Sequence, residues 1–124
     1  MELDVFFRSF IDSSREAIFI CNMDYRIIYI NPAASTEYAQ YGGYEMVGKD
    51  LHTFLDFEDE TKINMVIEWF RESKGNNSVF VKHISKHNMD VYIHALRDEN
   101  GELIGFCNRR RYRTTETAQP YDLG

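Results

Sequence analysis

Three histidines in the second half of the chain are the first candidates for chemistry: His83, His87 and His94. His83 and His94 fall on neighbouring predicted strands, where their imidazole rings could meet across the ladder. A metal site needs a third ligand in a fixed geometry, and a general base needs a carboxylate that orients it. Nothing in the sequence places either group beside these rings, so we predict neither a metal site nor a catalytic residue. We expect His83 to offer one polar group to a mostly apolar cavity, as is typical of small-molecule pockets.

Two short runs of like charge are explained without a reaction. The carboxylates of residues 58–60 stand where a long helix is predicted to begin, and negative charge there complements the helix dipole. The basic run at 109–111 lies on a predicted strand, whose alternation sends Arg109 and Arg111 to one face and Arg110 to the other. The run therefore forms no single basic face, and a net charge of −6 argues against nucleic acid as a partner.

The composition is that of one small domain. The chain has 124 residues, of which 44% are hydrophobic and 15% aromatic, enough for a single packed core. Its apolar runs are too short to span a membrane, and its first ten residues lack the pattern of a secretion signal. We therefore expect a cytoplasmic protein with no membrane partner, in which Cys21 and Cys107 are buried free thiols.

The first element that must be placed is an amphipathic helix, predicted over residues 1–14. Leu3, Phe6, Phe7 and Phe10 follow the spacing of one helical face. Three phenylalanines on so short a helix exceed what a monomer needs to cover itself, and exposed aromatic patches mark interfaces. We predict that these four side chains form a homodimer interface; the alternative is that the helix lies back on its own domain.

Two strands and a capped helix follow. The apolar runs at 18–21 and 27–30 are separated by Asn22-Met23-Asp24-Tyr25, a sequence typical of a tight turn. Asn31 can then accept a hydrogen bond from the free amides of a helix, and Pro32 suits the first helical position.

The second half of the chain predicts one long helix over residues 58–73 and three further strands, at 78–85, 90–97 and 103–112. These elements predict an α+β fold, a five-stranded antiparallel sheet with helices packed on one face. The folded domain is expected to occupy residues 15–112, and residues 113–124 are expected to form a flexible tail.

The order of these elements resembles a PAS domain over residues 16–111. The resemblance depends on four features: the two strands that lead into Asn31-Pro32-Ala33, the segment Val47-Gly48-Lys49 before a short helix, a long helix that ends near Gly75, and a hairpin at 98–106. It implies a sheet curved around a small cavity, in a module that senses ligands, light or redox state or that serves as a dimerisation module.

The resemblance also allows the cofactors of the family to be considered. Flavin-binding light sensors of this fold carry a reactive cysteine before the long helix, and residues 49–55 contain none. Haem-binding members usually offer a histidine from the long helix, which has none between residues 58 and 73. His52 lies just upstream, at a position more typical of a surface or capping histidine. We therefore expect neither flavin nor haem.

The sequence thus predicts a sensory or regulatory module that binds a small apolar ligand and acts through dimerisation or an effector protein. Residues from the helices, connections and strands are expected to line the cavity: Tyr38, Tyr41, Leu51, Phe54, Ile67, Phe70, His83 and Ile93. One alternative is a pure protein–protein interaction module whose core is filled by its own side chains. A small enzyme that uses His83 or His94 as a general base is the other. The sequence leaves open whether the chain is one domain of a longer regulator.

Overall fold

The computed structural model describes residues 3–114 and 116–121, and it confirms the predicted fold. Three α-helices, five strands and three short 3-10 segments follow one another along the chain. The helices are α1 (Leu3–Asp12), α2 (Pro32–Glu37) and α3 (Phe57–Glu72), and the strands are β1 (Ala17–Asn22), β2 (Ile27–Ile30), β3 (Ser78–Ile84), β4 (Met89–Arg97) and β5 (Leu103–Tyr112). The 3-10 segments, Ala39–Tyr41, Gly43–Met46 and Leu51–Phe54, connect α2 to α3.

All strand pairs of the sheet are antiparallel, in the order β2-β1-β5-β4-β3. The chain therefore places its first and last strands, β1 and β5, side by side in the middle of the sheet. Their inner faces carry Phe19 and Phe106, which pack with Ile67 and Phe70 of α3 in the hydrophobic core. Within the described residues, none of the helices has the length and apolar character needed to cross a membrane.

Asn31 caps α2 as predicted and does more than that. Its Oδ1 accepts hydrogen bonds from Ala34 N at 2.9 Å and from Ile18 N at 3.0 Å. Its Nδ2 donates to Ile11 O at 3.0 Å and to Glu16 O at 2.9 Å. The side chain is completely buried, and one amide joins α1, β1 and α2 while using both of its donors and both of its acceptor lone pairs.

Helix α3 begins at an acidic cap and is amphipathic. Asp56 accepts a hydrogen bond from Asp59 N at 2.8 Å, the usual arrangement of an N-cap residue. The buried side of the helix carries Ile63, Ile67 and Phe70, spaced so that they meet the inner face of the sheet.

Strand β3 contains a bulge that the sequence pattern did not predict. Phe80 lies opposite Tyr92 and Lys82 lies opposite Val91, so that Val81 is an extra residue between two paired positions. A bulge resets the alternation of a strand. Every side chain after Val81 therefore points to the face opposite to the one that simple alternation predicts.

Helix α1 buries none of its residues. It contacts the domain through its C-terminal half, where Tyr29 OH donates to Asp12 and the Arg8 guanidinium lies 5.5 Å from the Tyr29 ring centre. The four side chains of the predicted interface are 59–78% exposed: Leu3, Phe6, Phe7 and Phe10. Helix α1 thus leaves an apolar face uncovered in the single chain, and its burial in a dimer stays a prediction.

Candidate functional site

A cavity of about 130 Å³ lies between the sheet, the N-terminal half of α3 and the connecting 3-10 segments. Its wall is mostly apolar and aromatic, with five polar or charged side chains among them: Phe19, Tyr38, Tyr41, Met46, Leu51, Phe54, Leu55, Asp59, Lys62, Ile63, Val81, Lys82, Val91, Ile93, Asn108 and Arg110. Protein interiors contain few voids larger than a water molecule, whereas a cavity of ~150 Å³ has room for a benzene ring. The space is therefore sufficient for a small organic molecule.

Five of the eight predicted cavity residues come together in this wall. They are Tyr38, Tyr41, Leu51, Phe54 and Ile93. Tyr38 and Phe19 meet edge to face with ring centres 5.7 Å apart, and Tyr41 and Phe54 meet similarly at 6.0 Å. Both pairs have the edge-to-face geometry that aromatic rings prefer, so much of the cavity wall consists of aromatic rings that pack on one another.

Ile67 and Phe70 do not line the cavity. Both are buried, at 2% and 0% exposure, in the core beside its wall. The α3 side chain that reaches the cavity instead is Ile63, one turn earlier, together with Asp59 and Lys62. The three apolar residues share one helical face, and the spacing alone could not indicate which turn faces the void.

The prediction that His83 faces the cavity is wrong. Because of the bulge at Val81, His83 lies opposite Asp90 on the outer face of the sheet, and its Nδ1 is 2.8 Å from Asp90 Oδ1. The Arg113 guanidinium also donates to Asp90, at 2.6 and 3.0 Å, and holds the pKa of that carboxyl below its ordinary value. His83 belongs to this surface cluster.

The predicted approach of His83 to His94 does not occur either. On β4, His94 lies opposite Ser78 of β3, whereas the residue opposite His83 is Asp90. Asp90 and His94 are four residues apart, so the two histidines are not cross-strand neighbours. Burial and the nearby Arg109 lower the pKa of His94, whose ring stacks on Tyr92. Among residues 3–114 and 116–121, no group of three or more His, Cys, Asp and Glu side chains could hold a metal ion.

One end of the cavity is polar. Tyr38 OH donates to Asn108 Oδ1 over a long 3.5 Å, and the Arg110 guanidinium lies 4.8 Å from the Tyr38 ring centre. Arg110 Nη1 is 3.6 Å from Glu37 Oε1. Burial raises the pKa of the Tyr38 phenol, so the hydroxyl stays neutral and remains a hydrogen-bond donor.

Sequence reasoning missed both basic side chains of the inner sheet face. The alternation predicted for the arginine run is confirmed: Arg109 and Arg111 lie near Glu16 on one face, and Arg110 lines the cavity on the other. The cavity location of Arg110 could have been inferred from that alternation. Lys82 could not have been placed, because the bulge that turns it inward left no signal in the pattern.

His52 also lies away from the cavity. Its Nδ1 is 2.6 Å from Asp50 Oδ1, and its ring stacks on Tyr25 with centres 4.9 Å apart. Cys21 is fully buried, and burial raises the pKa of its thiol to about 12, while Cys107 is partly buried and unpaired. The thiol of Cys21 therefore stays protonated and unreactive near neutral pH.

A family model described as "PAS domain" matches residues 15–110 of this chain. Solved structures with the same fold include a C-terminal domain from Streptococcus mutans, at 19% identity and a TM-score of 0.67, covering 86% of this chain and 81% of that one. A PAS domain from Colwellia psychrerythraea has 16% identity and a TM-score of 0.64, covering 90% and 97%. A sensory box sensor histidine kinase from Vibrio cholerae has 16% identity and a TM-score of 0.58, covering 87% of each chain. No curated protein matches the chain.

Proposed function

This chain belongs to the PAS domain family, whose members are sensory and signalling modules, and we propose that it senses a small, largely apolar ligand held in its cavity. The observation that carries the proposal is the 130 Å³ cavity between the sheet and the helical elements, whose wall is mostly aromatic and aliphatic. A ligand that fills it gains about 25 cal/mol for each Å² of apolar surface removed from water. Because such a ligand binds only the folded state, it stabilises the domain against unfolding.

We propose that the module works without flavin or haem and without catalysis of its own. The cavity is smaller than the ~300–1,000 Å³ of pockets that hold drug-sized molecules, and both cofactors are at least drug-sized. The histidine nearest to a haem-ligand position, His52, is engaged with Asp50 and does not line the cavity. The site is suited to reversible binding. We also propose that the protein is cytoplasmic, because Cys21 and Cys107 are free thiols, which stay reduced in that compartment.

The interaction-module alternative, with a core filled by its own side chains, is separated from the sensor by a pair of matched substitutions. Ile93 lines the cavity and Ile67 lies in the packed core, and both are at most 2% exposed. Ile93→Phe is expected to fold with little loss of stability, because the void accepts the larger ring. Ile67→Phe has no such space and should cost about 1–3 kcal/mol through overpacking. Urea denaturation of both variants measures the difference.

The same pair tests ligand binding. Benzene should raise the melting temperature of the wild type and of a folded control such as Ile104→Val, and it should not raise that of Ile93→Phe. If Ile93→Phe is destabilised as strongly as Ile67→Phe, and benzene does not raise the melting temperature of the wild type, the proposal of a ligand-binding cavity is wrong. The interaction module is then favoured.

We propose that output passes through a second copy of the chain or an effector protein that covers the exposed face of α1. Replacing Phe7 and Phe10 together by glutamate should convert a dimer to a monomer, because the two rings are 62% and 78% exposed in the single chain and contribute nothing to its core. Light scattering measures the mass, and the circular dichroism spectrum should stay that of the wild type, which shows that the monomer is folded. Phe57→Glu, at a site on α3 that is 85% exposed, is the control and should stay dimeric. A wild type that is monomeric at every concentration would contradict the homodimer.

A further inference from the structure

Two basic side chains stand at the same level of the inner sheet face. Lys82 on β3 lies opposite Val91 on β4, and Val91 lies opposite Arg110 on β5. Strands in a sheet are ~4.8 Å apart, so the two residues flank Val91 within about 10 Å of each other along the sheet. Both line the cavity, together with Lys62 from α3.

The wall of the cavity is positively charged in an acidic protein. Lys62, Lys82 and Arg110 face one carboxylate in the wall, Asp59, although the whole chain carries a net charge of −6. Lys82 Nζ pairs with Asp59 Oδ1 at 3.1 Å. Lys62 Nζ pairs with Glu58, a residue outside the wall, at 3.2 Å. The basic residue with the weakest partner is Arg110.

Arg110 is incompletely satisfied within the described structure. Its Nη1 is 3.6 Å from Glu37 Oε1, beyond good hydrogen-bond distance, and its Nε is enclosed and has no hydrogen-bond partner among the residues described. An enclosed donor without an acceptor is costly. The guanidinium forms a planar fork that matches a carboxylate with two parallel hydrogen bonds. Arg110 therefore lacks one acceptor of the kind that a carboxylate supplies.

The remaining wall limits the rest of such a ligand. Below the level of Arg110, the next row of the inner face contains Ile93 and Asn108, and Leu51 closes the space from the connecting segment. With about 130 Å³ available, the apolar part has room for a single ring or a short branched chain.

We propose that the ligand of this cavity is a small organic carboxylate, whose apolar body fills the space beside Ile93 and whose carboxylate pairs with Arg110. This inference rests on the proposed function, because it names the chemical class of the molecule that the cavity binds. The carboxylate displaces Glu37 as the acceptor of Arg110, so the site binds an anion by exchanging one weak ion pair for a better one.

The test compares three probes of similar shape: benzoate, benzamide and benzene. Each is added at equal concentration and constant ionic strength, and the melting temperature and the dissociation constant are measured. Benzoate should bind at least about tenfold more tightly than benzamide, because a charge-assisted pair is lost in the amide. Benzene reports on the apolar part of the cavity alone.

Three variants test whether the carboxylate of benzoate pairs with Arg110. Arg110→Gln should bind benzoate and benzamide equally and should still respond to benzene. Glu37→Gln should bind benzoate several-fold more tightly than the wild type and leave benzene binding unchanged, because it removes the competing carboxylate. This second variant keeps the test valid if Arg110→Gln fails to fold. Arg111→Gln, whose side chain is 59% exposed on the other face, should behave as the wild type.

Each outcome decides between the two proposals. A response to benzene together with equal binding of benzoate and benzamide overturns the carboxylate and leaves the sensor proposal intact. A preference for benzoate that both Arg110→Gln and Glu37→Gln leave unchanged places the anion elsewhere and also overturns it. No binding of any probe overturns both.

Discussion

Replacing Asn31 by alanine is expected to lower the free energy of unfolding by about 4 kcal/mol. The substitution removes four hydrogen bonds: the amides of Ile18 and Ala34 lose their acceptor, and the carbonyls of Ile11 and Glu16 each lose one donor. Small domains are stable by only ~5–15 kcal/mol, so this loss is a large share of the total. Urea denaturation followed by circular dichroism measures it.

Asn31→Asp separates two explanations of that loss. Aspartate is as good an N-cap as asparagine, so a residue that only capped α2 would tolerate the change. Here Nδ2 donates to Ile11 O and Glu16 O, and a carboxylate oxygen in its place would face two carbonyl oxygens inside the protein. We expect Asn31→Asp to cost at least as much as Asn31→Ala.

The matched control is Asn22→Asp in the turn between β1 and β2. The Oδ1 of Asn22 accepts hydrogen bonds from Asp24 N and Arg26 N, which an aspartate retains, so the change should stay within about 0.5 kcal/mol. If Asn31→Asp is equally mild, the tie from Asn31 to α1 and β1 contributes little and the argument for Asn31 is wrong.

Removing the guanidinium of Arg97 should cost about 3 kcal/mol. Arg97 Nη2 donates to the carbonyls of Phe70, Ser73 and Asn76, at 2.7, 3.1 and 3.0 Å, and thereby joins the last turn of α3, where carbonyls lack helical partners, to the loop that follows it. Nη1 donates to Gly101 O and Nε to Asn77 Oδ1, so the same side chain holds the β4–β5 hairpin and the approach to β3.

Arg97→Met tests this contribution, because methionine keeps most of the aliphatic stem and loses every donor. Arg97→Lys should also be strongly destabilising, since an ammonium cannot reproduce the planar fork. Arg71→Met, near the same helix end, removes one exposed ion pair to Glu68 and should change stability by less than about 0.5 kcal/mol. An Arg97→Lys variant as stable as the wild type would show that the fork geometry is unimportant.

Much of the fold was predictable because local chemistry agrees with the final structure. The apolar runs at 18–21 and 27–30, the Asn31 cap and the alternation of β5 each specify their own element without information from distant residues. Asn31 shows the limit of prediction from local sequence. Its capping role follows from one hydrogen bond three residues ahead, whereas its bonds to Ile11 and Glu16 depend on how α1 and β1 pack.

The site was less predictable for the same reason. Tyr38, Leu51 and Ile93 lie in the wall, as their apolar or aromatic character and their place in the element order predicted. His83 was misplaced by one extra residue in β3, since a shift of one position moves a strand residue to the other face. The bonds of Arg97 to residues 70–77 span 20 to 27 positions and have no local signal.

The existence of a binding cavity is tested most directly by a benzene titration followed through the isoleucine methyl signals in ¹H–¹³C NMR spectra. Ile63 and Ile93 line the cavity, whereas Ile104 is 53% exposed on β5 and lies outside its wall. The cavity predicts saturable shifts of the Ile63 and Ile93 methyl signals at a common dissociation constant, with the Ile104 signal unchanged. The absence of saturable shifts at Ile63 and Ile93, or an equal linear drift of all three signals, would contradict it.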